Sequence, residues 1–364
     1  MNKIKVFLAR KGVVCSFRQY GVDALGAMAQ GLFCTLLVGT ILNTLGQQLH
    51  IGFLTAPVVS VGTVSYTVGG LASAMVGPGI AVAIGTALHC PPLVLFSLIP
   101  VGFAANAMGG AGGPLAVYAV TIIAAELGKL VSKETRIDIL VTPCVTVIAG
   151  IAVAQLIAAP IGTAARAVGL AIMWATELQP FFMGVLVSAL IGIALTLPIS
   201  SAAICAAFGL TGLAGGAAVA GCCAQMVGFA VMSFKENRWG GLVAQGVGTS
   251  MLQMPNILKN PRIWIPPTLA SMITGPLATC VFKLQMNGSP VSSGMGTCGF
   301  VGQIGVYTGW VSDIAAGTKA AITPMDWIGL VLICFILPAV LSTLFCRVLE
   351  KRGWIREGDM KLDL

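Results

Sequence analysis

The chain has 364 residues, of which 57% are hydrophobic and only 9% charged, with a net charge of +8 and a mean hydropathy of +0.95. Soluble domains carry about 25% charged residues, so this composition excludes a soluble enzyme, and the length leaves no room for a separate catalytic domain beside the apolar runs. Those runs are long and unalternated, which excludes a transmembrane β-barrel.

Residues 24–125 contain no Lys, Arg, Asp or Glu. A soluble fold of that length must turn part of its surface to water, whereas lipid accepts an uncharged one. About 20 helical residues cross a ~30 Å hydrocarbon core, so the block holds several crossings. The expected class is an all-α polytopic membrane protein with about ten transmembrane helices.

The basic residues lie at the ends of apolar runs, as the positive-inside rule requires, and this placement explains the net charge without any nucleic-acid partner. Lys3, Lys5, Arg10, Lys11 and Arg18 precede the first run, and Arg347, Lys351, Arg352, Arg356 and Lys361 follow the last. Both termini therefore read as cytoplasmic, which demands an even number of spans. Internal cytoplasmic clusters are Lys129, Lys133 and Arg136, then Lys235, Arg238, Lys259 and Arg262.

In chain order, residues 1–22 read as a cytoplasmic amphipathic segment on the membrane surface. The membrane domain is expected over 23–349, with spans at 24–45, 56–76, 92–106, 115–131 and 137–159. Pro78, Pro91, Pro92 and Pro100 break the early pattern. After Pro160, Arg166 and Glu177 are eleven positions apart and share a helix face, which predicts an interfacial amphipathic helix. A span at 179–198 comes next, then a helical pair over 199–234 interrupted at Gly212, Gly215 and Gly216. A mixed stretch covers 239–264, and spans at 265–283 and 327–347 come last. Residues 350–364 read as a cytoplasmic tail. Trp239, Trp264, Trp310, Trp327 and Trp354 mostly fall at span ends, as an aromatic belt does.

Residues 284–326 are too polar and Gly-rich for a lipid-facing helix and too apolar for an ordinary loop. Irregular backbone at membrane depth survives only inside protein or beside a wet cavity, so a re-entrant hairpin is expected over about 284–310. Half-helices that end in a membrane turn bare N–H groups toward a ligand. Asn287, Ser289, Ser292, Ser293, Thr297 and Gln303 add uncharged donors and acceptors suited to a hydroxyl-rich or anionic solute. The competing reading is a structural plug whose polar groups satisfy one another.

Asn106, ahead of the glycine run 109–113, is a candidate for a matching broken element, with close helix packing as the alternative. Glu177 is a candidate because acids buried in membranes are usually functional; otherwise it pairs with Arg166 at the interface. His89, beside Cys90, Pro91 and Pro92, is a candidate proton or phosphate handler, or an incidental loop residue. Glu126 and Lys129 read as a surface pair. The eleven cysteines, Cys222 and Cys223 adjacent among them, form neither a disulfide framework nor a zinc pattern. No metal or cofactor is expected, and no GxxxxGK[ST] loop is present for an ATP-driven motor.

The run Gly21-Val22-Asp23-Ala24-Leu25-Gly26-Ala27-Met28-Ala29-Gln30-Gly31-Leu32, the ten-span arrangement and the stretch from Asn287 to Gly305 resemble the enzyme IIC-like membrane family of the phosphotransferase sugar-uptake system. The resemblance is to the branch with perfringolysin O regulator-type proteins. It implies a homodimeric protein of the bacterial inner membrane that moves a sugar-like solute by an elevator-type motion, with a soluble IIB phosphocarrier as partner. Better-known branches carry a Glu within an Asn-Glu-Pro motif at the re-entrant site; here Asn287-Gly288-Ser289-Pro290 stands without the acid. The alternative it leaves open is a membrane sensor that binds a small ligand in the same pocket and regulates gene expression.

Overall fold

The structure, a computed structural model, describes residues 7, 8, 10–13 and 16–362. Lys3 and Lys5 of the expected amphipathic segment, and the last two residues of the tail, lie outside the described residues. Helix makes up 79% of the described residues. Among the described residues, five helical runs are long and apolar enough to cross a membrane: Arg18–Gln48, Pro92–Val131, Asp138–Thr176, Gly212–Met232 and Pro324–Lys351. The pair Val68–Ala74 and Val76–Ala87, bent by 54°, makes a sixth if counted as one span. The chain divides into two units, residues 1–164 and 165–364.

In the first unit, helix α1 (Arg18–Gln48) begins before the expected start at residue 24. The stretch 56–76, expected as a span, is instead a β-hairpin followed by a helix. Strands β1 (Val59–Val61) and β2 (Val64–Tyr66) pair antiparallel, with Ser60 opposite Ser65 and their hydroxyls 2.9 Å apart. The alternation of Val with Ser suits a pleated strand, and Gly62, at a φ of 62°, makes the turn. Helix α2 (Val68–Ala74) starts where Thr67 accepts a bond from the Gly70 N–H at 3.0 Å, a cap that fixes the end of the hairpin. Pro78 then lies near the start of α3 (Val76–Ala87), where a missing N–H costs little.

Helices α4 (Pro92–Gly109) and α5 (Gly113–Val131) are joined by one 3-10 turn. Gly110 reverses the chain there with φ 53° and ψ −123°. A Cβ on Gly109 would sit 2.8 Å from Ala116, and one on Gly128 would sit 2.8 Å from Val94, so the two helices lie antiparallel and in contact. The third and fourth expected spans are thus separate rods. Helix α6 (Asp138–Thr176), whose residues from 165 onward belong to the second unit, runs 39 residues without a break at Pro160. This corrects the expected interfacial helix: among apolar residues a proline is tolerated inside a membrane helix, and Arg166 stays on the exposed side.

The first unit also corrects the reading of Glu126 and Lys129. Lys129 is 2% exposed and its Nζ lies 3.1 Å from Glu126 Oε1, so the lysine is buried beside a half-buried carboxylate. Beside it the Cys90 thiol is pushed up to about 11 by burial, with Lys129 acting in the opposite direction.

The second unit is built round α9 (Gly212–Met232), whose apolar window is 94% buried. It is preceded by α7 (Pro180–Thr196) and α8 (Ser201–Ala207). Small residues let backbones meet: a Cβ on Gly216 would overlap the Leu284 carbonyl, and one on Gly221 the Ser188 carbonyl. A core of Val219, Cys223, Leu284, Met286, Val306, Trp310 and Ile333 packs this helix against the chain over 284–333.

The C-terminal residues fold back on the unit instead of trailing from it. Glu236 accepts the Gly358 and Met360 N–H groups at 3.0 Å each. Asn237 donates to the Met360 carbonyl and accepts the Leu362 N–H, both at 2.8 Å. Gln253 and Asn256 donate to the Met360 and Lys361 carbonyls, and Ile355 and Met360 are buried.

Candidate functional site

Residues 283–315 form a hairpin of irregular backbone and helix. An extended arm, 283–289, is held by two backbone bonds between Met286 and Gly212, each 3.0 Å. A single helical turn, Pro290–Ser293, comes next. The chain reverses through Gly296 and Gly299, both at positive φ, and returns as α10 (Val301–Ala315). Glycine is needed at the contact of arm and helix. A Cβ on Gly288 would overlap the Gly305 carbonyl, and one on Gly309 would sit 2.7 Å from the Asn287 nitrogen.

A second interrupted element meets the hairpin. The chain between α8 and α9 turns at Gly209 and Gly212, both at positive φ. Ser201 donates to the Gly294 carbonyl at 2.7 Å, and Ser293 donates to the Leu210 carbonyl at 2.6 Å. Each break thereby satisfies backbone oxygens exposed by the other, as buried irregular chain requires.

The structure places the sequence candidates in three settings. Ser292, Ser293, Thr297 and Gln303 are interior. Thr297 donates to Met226 sulfur at 3.5 Å, and Gln303 Nε2 to Cys223 sulfur at 3.2 Å, while Gln303 Oε1 is buried with no partner. Ser289 is exposed and ends the arm. Asn287 is half-buried and lines a cleft of about 510 Å³. Glu177 is exposed in the turn after α6. Asn106 and His89 belong to the other unit: Asn106 packs against Gly113 at the turn of the α4–α5 hairpin, and His89 is exposed at the end of α3 with φ 53°.

The cleft is lined by Phe282, Lys283, Gln285, Asn287, Trp310, Asp313, Thr318, Lys319 and Asp326. Asn287 Nδ2 donates to Asp313 Oδ2 at 2.8 Å. Lys319 pairs with Asp326 at 2.9 Å and lies 5.9 Å from the Trp310 ring centre. Thr323 and Asp326 form a capping box at the start of α11 (Pro324–Lys351), which fixes the carboxylate. Lys283 stands in the left-handed region at φ 47°, and its ammonium has no hydrogen-bond or ion-pair partner among the described residues.

Sequence reading missed these charges, yet a signal was present. Between Arg262 and Arg347 the chain holds four charged residues, Lys283, Asp313, Lys319 and Asp326, and all four line this one cleft. Ionisable groups set among membrane helices are costly and cluster where there is water or a ligand. Treating the stretch only as a set of uncharged donors hid them.

An all-α, multi-pass membrane protein with a polar cleft beside a broken-helix hairpin is the class these features define. The chain belongs to the family described as Phosphotransferase system, EIIC, which matches residues 22–362. That family in general works on a sugar solute with a soluble IIB partner. Comparison with curated proteins and with solved structures gave no match.

Proposed function

We propose that this protein is the permease component of a phosphotransferase-type system and binds a sugar-like solute in the cleft beside Asn287. The observation that carries the reading is the convergence of four otherwise isolated charges on one cavity. Its volume of about 510 Å³ falls in the range of small-molecule sites. Asp313 accepts solute hydroxyls, Asn287 orients that carboxylate, and Trp310 supplies an apolar edge. Ser292, Ser293, Thr297 and Gln303 shape the hairpin behind the cleft, and Ser289 closes its arm. The proposal does not require Asn106, His89 or Glu177.

The same reading makes the hairpin a re-entrant element, with about ten crossings and both termini cytoplasmic in a bacterial inner membrane. A homodimer, bound lipid and a soluble IIB phosphocarrier complete it. The sensor alternative signals through the cytoplasmic tail or through a partner, and the docking of residues 355–362 on Glu236 and Asn237 speaks against the first of these routes. Uptake of labelled sugars into proteoliposomes tests the reading. Uptake that Asp313→Asn and Asn287→Ala abolish supports it; unchanged kinetics in both variants sink this site.

A further inference from the structure

We propose that residues 354–362 are a strap that sets the position of the hairpin tip. The strap braces the stretch Ala244–Gly248, the turn Cys298–Phe300 rests against that stretch, and a tail that lifts away loosens the tip. This concerns what holds the hairpin, beyond the question of which solute the cleft takes.

A continuous ladder of buried amides joins the strap to that stretch. Gln245, within Ala244–Gly248, donates to Ser233 Oγ at 2.8 Å and to the Gly241 carbonyl at 2.9 Å. Gln253 donates to Gln245 Oε1 at 2.8 Å and to the Met360 carbonyl at 3.0 Å. Asn256 donates to Gln253 Oε1 at 2.9 Å and to the Lys361 carbonyl at 2.8 Å. A side-chain amide nitrogen carries two donors, so Gln253 and Asn256 each spend one on the ladder and one on the tail. All three amides are buried, where an unmade hydrogen bond is costly. The backbone of Met360 and Lys361 therefore completes the network that fixes Gln245.

The tip needs such a brace. On its arm side, Ser201 and Ser293 make short bonds to backbone carbonyls. On its returning side the side-chain bonds end on sulfur, a weak acceptor: Thr297 on Met226 at 3.5 Å and Gln303 on Cys223 at 3.2 Å. Gly299 and Phe300 stand side by side in the left-handed region, at φ 50° and 58°. Glycine adopts that conformation freely and phenylalanine does not, and such backbone persists only where its surroundings over-determine it. Ala244–Gly248 belongs to those surroundings, and its own placement is completed by the tail.

The consequence is regulatory. Glu236, Asn237, Gln253 and Asn256 all read the backbone of the tail, so lifting it changes the freedom of the hairpin without touching the cleft. In the permease reading the tail is a brake on the hairpin that carries Asn287. The alternative, a tail that only finishes the fold at its own position, predicts that freeing 354–362 changes nothing at 296–303.

The test is hydrogen exchange followed by mass spectrometry on the full chain in detergent. It needs no solute, so its failure is separate from a failure of the sugar reading. Two substitutions free the strap from opposite sides. Met360→Asp places a charge on a buried side chain of the tail and leaves the amide ladder intact; Asn256→Ala removes a rung and leaves the tail intact. The expected result is exchange about tenfold faster in 354–362 and in 296–303 together, the effect of one or two lost hydrogen bonds. Protection over Pro92–Val131 stays unchanged and reports an intact fold. Exchange that rises in 354–362 alone overturns the inference. So does protection lost equally along Gly212–Met232, since the tail then supports the whole unit and not the tip. A tail that stays protected when both substitutions are combined overturns it as well, because these bonds are then not what holds it.

Discussion

Asn287 and Asp313 are joined by a 2.8 Å hydrogen bond from the amide to the carboxylate across 26 positions of chain. The bond ties the extended arm of the hairpin to the far end of its returning helix, so the geometry of the cleft depends on both. Asp313→Asn keeps the shape and removes the charge. It should cost about 1 kcal/mol of stability but lower solute uptake at least tenfold. Thermal unfolding and proteoliposome uptake of the same variant separate the two effects.

Gly216 lies where the Leu284 carbonyl presses on α9. A methyl group has no room there, because the obstacle is backbone and cannot rotate away. Gly216→Ala should yield little folded protein, as overpacking costs about 1–3 kcal/mol or more. Gly240→Ala is the control, since a Cβ there meets nothing. Size-exclusion profiles of the two variants give the comparison, and equal recovery would contradict the packing argument.

The C-terminal segment is held by side chains that read its backbone, Glu236 and Asn237 above all. Asn237→Ala removes two of these bonds, each worth about 1 kcal/mol net. Protease cleavage within residues 353–362 should quicken in this variant while the membrane helices stay protected. Hydrogen exchange followed by mass spectrometry over the same residues provides a second reading.

Glu134 receives Arg10 at 2.7 Å and Lys11 at 2.5 Å. The hydrogen bond from Lys11 leads in holding this exposed carboxylate below its ordinary value, with the Arg10 charge adding to it. A carboxylate lowered in the folded state contributes its stabilisation fully above its unfolded value of about 4.3, and loses it as pH falls through the lowered folded value. Exchange of the amides at 10–13 should therefore be unchanged from about pH 7 to 5 and rise, after correction for intrinsic rates, below about pH 4. Glu134→Gln should show the fast exchange at every pH.

The interfacial helix expected after Pro160 and the span expected over 56–76 fail for related reasons. Both rested on composition within a short window. An apolar Val-Ser alternation satisfies a hydropathy count and a strand equally well, and a proline in an apolar helix can be absorbed by its neighbours. The break in regular structure over about 284–310 was legible because its glycines and polar residues fit neither lipid nor water. Asn287 was legible as part of it. Asp313, Lys319, Asp326 and Lys283 were not, because they are spread over 44 positions of sequence and no periodicity links them.

Sequence alone determined that this is an all-α membrane protein, since an uncharged block such as residues 24–125 has no stable place in water. The tertiary structure decided where its polarity gathers. Charges scattered along the chain become neighbours only when the arm at 283–289 lies back on α10 and Lys319 meets Asp326. That meeting depends on backbone reversals at Gly296 and Gly299 and on contacts without room for a Cβ, which are properties of three-dimensional packing and not of residue order.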